Sequence, residues 1–118
     1  LLNGGDIPST KENLKAAAAG EHEEWTSMYP EFAKVAREEG FTRIANLFEM
    51  VAKIEQEHDA RYNLLLANIQ EDKVFKRNEK MIWMCSNCGH VYEGTEAPEI
   101  CPVCAHPKGF FEIKANNY

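Results

Sequence analysis

What this chain lacks narrows its identity first. It has no apolar run approaching the roughly 18 residues that a membrane-spanning helix needs, so no membrane partner is expected. It has no excess of basic charge. Its 13 Lys and Arg stand against 19 Asp and Glu, and the net charge of −6 argues against binding nucleic acid through a cationic face. No signal-peptide pattern is visible, and the expected compartment is the cytoplasm, where thiols stay reduced and bind metal. There is no internal repeat, and no low-complexity segment beyond the alanine run 16–19. With 118 residues there is room for one ordinary domain, or for a small domain plus a metal-stapled one. Cysteine is scarce too: four residues, none of them outside two C-x-x-C pairs.

Those pairs are the strongest signal present. Cys85-Ser86-Asn87-Cys88-Gly89 is answered, after twelve intervening residues, by Cys101-Pro102-Val103-Cys104. Two such turns facing each other form a tetrahedral four-thiolate cage for one metal ion, whereas disulfides would require a secreted chain. A segment this small cannot bury enough apolar surface to fold by itself, so the metal supplies its folding free energy. Residues 81–84 read as a strand entering the first turn and 91–93 as one leaving it, with Gly94 turning the chain and 110–113 as a third strand. Gly89 permits the positive φ that such a turn needs. His90 and His106 lie close by, but four thiolates already fill the coordination shell. Both read as surface residues or as groups behind the ligands.

The first half reads as two helices. Residues 1–8 form a loop, and Ser9 and Glu12 fit a capping box that starts the first helix. Gly20 weakens that helix by about 1 kcal/mol relative to alanine. Pro30 should kink or locally rewind it, and Gly40 ends it as a C′ residue. Thr42 is the expected cap of a second helix running to about residue 68. Along that second helix Ile44, Phe48, Val51, Glu55, His58, Tyr62 and Leu65 fall at alternating spacings of four and three, one continuous face. The first helix has a matching stripe of Leu14, Ala17, Glu21, Glu24 and Met28. Glu23, Lys53, Gln56, Glu57 and Asp59 fall off these stripes and read as solvated. Residues 70–80 mix charges around Val74 and Phe75 and read as a linker with an apolar anchor.

Ionisable groups at apolar-face positions need an explanation, because a buried unpaired carboxylate is costly. A partly open seam, or a Glu55–His58 pair, would explain a lone residue. A Glu-x-x-His motif facing a second helix that carries Glu21 and Glu24 points instead to metal. Ferritin-like bundles hold two iron ions with carboxylates and imidazoles from facing helices. Carboxylates bridge two cations and cancel their charge, and histidine adds a neutral nitrogen, a set that suits iron or manganese. Such a bundle needs a Glu from each of two helices and a Glu-x-x-His from each of the other two, so this chain carries half a set.

These residues together resemble the C-terminal part of a rubrerythrin. The likeness rests on Glu21-His22-Glu23-Glu24-Trp25, Met28-Tyr29-Pro30, the segment from Glu55 to His58, the two cysteine turns, and Ala105-His106-Pro107-Lys108 after the last cysteine. It implies a fold that is mainly α with a small β metal-binding domain. The expected layout is a ferritin-like helical hairpin (half of a four-helix bundle) over 1–69, a linker over 70–80, and a rubredoxin-like Fe(Cys)4 domain over 81–118. By resemblance Glu21 and Glu55 are bridging or terminal carboxylates and His58 is a nitrogen ligand. Glu24 matches the carboxylate that binds one iron in the oxidised state only. Tyr29 stands behind the ligands, or is a core residue. Cys85, Cys88, Cys101 and Cys104 hold a single iron, although zinc takes the same ligands.

The function implied is a non-haem di-iron peroxidase of oxidative-stress defence, which reduces hydrogen peroxide to water with electrons relayed from the rubredoxin-like centre. A redox donor protein or reductase is the implied partner. The other di-iron ligands must come from a homodimer or from a complementing N-terminal helical half. Two other readings stay open. One is an adaptor, with a helical dimerisation module and a structural zinc ribbon. The other is a ferroxidase or iron-storage protein, for which an electron relay would be superfluous.

Overall fold

The computed structural model describes residues 4–118, so the first three residues of the expected N-terminal loop lie outside it. The chain forms two compact units, Leu1–Gln70 and Glu71–Tyr118. Helix α1 spans Thr10–Glu23, followed by a π-helical turn Glu24–Met28, helix α2 Tyr29–Glu38 and helix α3 Thr42–Gln70. The expected capping box is present: Ser9 Oγ accepts from the Glu12 amide at 3.3 Å, and Glu12 Oε2 accepts from the Ser9 amide at 3.0 Å. The rewinding expected from Pro30 falls just before it. In the π turn the Tyr29 N–H donates to Glu24 O, and the Thr26 hydroxyl takes up the His22 carbonyl at 2.5 Å.

Gly40, at φ 85°, ends α2. The Phe41 amide donates to Ala36 O at 2.8 Å and the Gly40 amide to Arg37 O at 3.1 Å, a Schellman closure that answers the last carbonyls of α2. The cap of α3 is Phe41, not Thr42. The Ala45 amide already bonds to Phe41 O at 2.9 Å, which puts Thr42 inside the first turn. The chain thus leaves one helix and enters the next without a free cap residue between them.

Among the described residues of this unit the buried apolar ones are small: Ala18, Ala33, Ala36 and Ala45. Alanine lets α3 lie close against α1 and α2, and it leaves the bulky apolar side chains elsewhere. Phe32, Phe41, Ile44, Leu47, Met50 and Ile54 are all exposed. The stripe on the first helix is half-buried throughout, as the spacing predicts. Asp59 corrects that reading. Expected in solvent, it is only 8% exposed.

The second unit is a three-stranded antiparallel sheet in the order β2-β1-β3, with β1 Lys76–Cys85, β2 Val91–Glu96 and β3 Phe111–Ile113. Trp83 lies opposite Tyr92 on one side and Ile113 on the other. Phe110 belongs to a 3₁₀ turn, Lys108–Phe110, and not to the third strand. The expected linker over 70–80 is strand from Lys76 onward. Lys76 pairs with Glu96, a bulge lies between Lys76 and Met81, and the Ala97 amide donates to Phe75 O at 2.9 Å. A bulged, charged strand end lacks the apolar alternation that would reveal it. The core is Trp83, Cys85, Ala97, Cys101 and Phe111, with Phe75 packed against it. Among the described residues no helix is long and apolar enough to cross a membrane.

Candidate metal centres

The sulfur cluster is built by two copies of one turn. In each, the first cysteine carbonyl accepts from the residue after the second cysteine: Gly89 N to Cys85 O at 2.8 Å and Ala105 N to Cys101 O at 2.9 Å. In each, the first cysteine amide donates to a histidine carbonyl: Cys85 N to His90 O at 2.9 Å and Cys101 N to His106 O at 2.8 Å. The Cys85–Cys104 and Cys88–Cys101 sulfur separations are both 3.7 Å. A disulfide requires about 2.05 Å. A regular tetrahedron with metal–sulfur bonds of about 2.3 Å has edges near 3.7 Å, so the four sulfurs fit one tetrahedral ion.

Backbone amides tune these sulfurs. The His106 N–H bonded to Cys104 leads the causes that hold that thiol down at about 5, with Asn87 and two other cysteines adding to it. At Cys88 the His90 N–H also favours the thiolate, but local desolvation of the sulfur and the other three cysteines outweigh it and push the group up to about 12. Four close sulfurs cannot all ionise without a cation among them, and that competition is itself a mark of a metal cage. Neither His90 nor His106 joins the cluster. The His106 ring packs on Phe110 with centroids 4.5 Å apart.

In the helical unit, Glu21 of α1 meets Glu55 and His58 of α3, with one ligand atom of each within 4.8 Å of the others. His58 Nδ1 is 2.7 Å from Glu55 Oε2 and 3.6 Å from Glu21 Oε1. Burial raises the Glu21 pKa above the usual carboxylate range, helped by a hydrogen bond and like charge from Glu55 and opposed by His58. Oε2 of Glu21 is buried without a hydrogen-bond partner among the described residues. An orphaned carboxylate oxygen, a second carboxylate and an imidazole converging on one point form a donor set for a divalent cation. A cleft of about 320 Å³ opens there, lined by Glu21, His58, Arg61 and Tyr62.

Glu24 is outside this trio. It is half-buried in the π turn, near enough for its charge to help raise Glu21. Tyr29 packs in an aromatic group, its ring centroid 6.1 Å from Phe32 and 6.0 Å from Phe48. A second polar cluster, centred on Asp59, joins His22, Trp25 and Asn63. Its sequence signal was polar residues at spacings of three and four, one position beyond the ligand stripe on each helix.

Comparison with known proteins agrees with both centres. Residues 4–66 match the family model described as rubrerythrin, and residues 83–112 match that of the rubrerythrin rubredoxin-like domain. The chain is 50% identical over 121 residues to rubrerythrin-1 of Clostridium acetobutylicum, covering 99% of this chain and 62% of that protein. It is 54% identical over 114 residues to the rubrerythrin of Porphyromonas gingivalis, covering 97% and 57%. A solved structure of nigerythrin in a partially reduced state matches with a TM-score of 0.53 and 30% identity, over 92% of this chain and 52% of that one. The chain thus spans between 57% and 62% of the length of these two curated relatives.

Proposed function

This chain belongs to the rubrerythrin family, and on that premise we propose that it works in a non-haem di-iron peroxidase that reduces hydrogen peroxide to water. The observation that carries the reading is the pairing of a complete four-cysteine cage with a Glu21–Glu55–His58 half-site in one short chain. Iron, when bound, supplies the redox chemistry, one electron at the cysteines and two electrons between the carboxylates, so that peroxide plus two protons becomes two waters.

The protein's own groups prepare for this. Glu21 and Glu55 present two carboxylates to one point, and a cation there would offset the burial and like charge that raise the Glu21 pKa. His58 adds a nitrogen without adding charge. Glu24, close by on the wider π turn, is the carboxylate that joins or leaves the set as the charge at the site changes. Tyr29 stands behind the ligands at the edge of the aromatic group. The His90 and His106 amides stabilise negative sulfur at Cys88 and Cys104 and favour the reduced centre. Cys88 is exposed, which offers a donor protein or reductase an approach to that centre.

The remaining ligands come from a second helical pair, supplied by an N-terminal half or by another copy. The exposed apolar row from Phe32 to Ile54 suits such a cover. The cytoplasm is the proposed compartment. The test is metal analysis joined to peroxide consumption in the assembled protein with a reductant. Iron at both centres and reductant-dependent turnover support the reading. A colourless protein holding zinc alone would end it.

A further inference from the structure

Among the described residues Asp59 is the one buried charged side chain, and it lies beside the metal-type cluster rather than in it. A carboxylate in that place is costly unless its oxygens are satisfied. Three groups satisfy it. Trp25 Nε1 donates to Oδ2 at 2.8 Å, His22 Nδ1 lies 3.0 Å from the same oxygen, and Asn63 Nδ2 donates to Oδ1 at 2.6 Å.

The register of these groups is informative. His22 follows Glu21, Trp25 follows Glu24, and Asp59 follows His58. Adjacent helical residues point about 100° apart, so this network occupies the face next to the ligands and grips the same backbone. Trp25 also sits inside the π turn Glu24–Met28, whose widened ring is held by Tyr29 N–H on Glu24 O and by the Thr26 hydroxyl on His22 O. An apolar seam of alanines permits small slips of one helix along another. Directional hydrogen bonds near 2.8 Å do not.

We propose that Asp59 is a positioning residue. By holding Trp25 and His22 it pins the π turn and the end of α1 against α3, and so sets where the Glu24 and Glu21 carboxylates stand relative to Glu55 and His58. This rests on the reading of those four residues as iron ligands.

The test uses the complete, iron-loaded protein and compares Asp59→Asn and Trp25→Phe with Ala45→Gly, a destabilising change in the alanine seam away from the network. Asp59→Asn keeps the volume but turns an NH₂ group toward at least one donor. Trp25→Phe keeps a ring and removes only the N–H and its pyrrole half, which guards against a variant that fails to fold. Both are expected to weaken ferrous binding at the helical site about tenfold or more. Both should also shift the absorption of the oxidised helical iron and speed amide exchange over residues 24–28, with the cysteine-iron spectrum unchanged. Ala45→Gly should lower stability without those three effects. The proposal is overturned if Asp59→Asn and Trp25→Phe keep affinity and spectrum, or if Ala45→Gly reproduces their losses. Glu24→Ala separates the two levels. If it leaves the helical iron spectrum unaltered, the ligand assignment fails; if it alters the spectrum while Asp59→Asn does not, only the positioning role fails.

Discussion

Gly89 and Ala105 occupy the same place in two equivalent cysteine turns, both with positive φ, at 82° and 60°. Each amide closes its turn onto the carbonyl of the first cysteine. The left-handed region costs an L-residue about 1–2 kcal/mol and costs glycine almost nothing. A Cβ at Gly89 would meet no atom within 4 Å, so the penalty for Gly89→Ala is conformational alone, about 1 kcal/mol. Ala105→Gly should stabilise the loaded unit, by up to about 1 kcal/mol after the added unfolded-chain entropy is subtracted. Denaturant unfolding of both variants checks the pair of signs. Equal, same-sign effects would show that the turns are not equivalent.

Removing the metal from the cysteines should unfold residues 71–118 and leave the helices standing. Two of the five core residues of that unit, Cys85 and Cys101, are candidate ligands, and the three that remain, Trp83, Ala97 and Phe111, make too small a core to fold alone. A structural tetrathiolate ion contributes on the order of 10–16 kcal/mol of folding free energy. Hydrogen exchange after chelation should therefore lose protection throughout the sheet while the amides of α3 keep theirs. Retained protection at Trp83 would contradict this.

Glu55→Ala and His58→Ala should each empty the helical iron site, spare the cysteine centre, and lower peroxide turnover by at least about 100-fold. The adaptor reading expects the opposite: function intact, and stability unchanged or raised because a charged group has left the seam. Iron counts and turnover measured on the same preparation separate the two.

Lys108 gives a pH signature in the sheet unit. Its side chain is 19% exposed, and its Nζ bonds to Glu96 Oε1 at 2.8 Å and Glu99 Oε1 at 2.5 Å. The Lys108 hydrogen bond holds Glu96 below its ordinary 4.5, and Glu96 and then Glu99 hold Lys108 above 10.5. A depressed carboxyl stabilises the fold above its unfolded pKa, and that gain is lost as pH falls through the folded value. A raised ammonium stabilises below its unfolded pKa, and that gain is lost as pH rises through the folded value. The melting difference between the wild type and Lys108→Met should be flat from about pH 5 to 10 and shrink outside that window. A difference that persists unchanged to strongly acidic pH would remove the clamp from the account.

How far the sequence could be read follows from how local each cause is. The capping box of Ser9 and Glu12 and the cysteine turns are short-range chemistry, so residue type and spacing reveal them. The Glu55–His58 motif shows for the same reason, and Glu21 through its stripe. Asp59 is less legible: Asn63 is only four positions away, but the His22 and Trp25 that bury it lie 37 and 34 positions away, across the helix seam. Ala105 gave no hint of a left-handed backbone, since alanine rarely adopts one. Lys76–Cys85 carries a bulge between Lys76 and Met81, where charged side chains hide the strand.

The alanine seam has a thermodynamic consequence. Among the described residues of Leu1–Gln70 the buried side chains are four alanines and Asp59, while the interior of Glu71–Tyr118 is organised around thiolates. Heat therefore meets two different restoring forces: mass action from whatever covers the helices, and free-metal activity at the cysteines. A melting curve should resolve into two transitions that move independently as either condition changes, and no single Tm describes the chain.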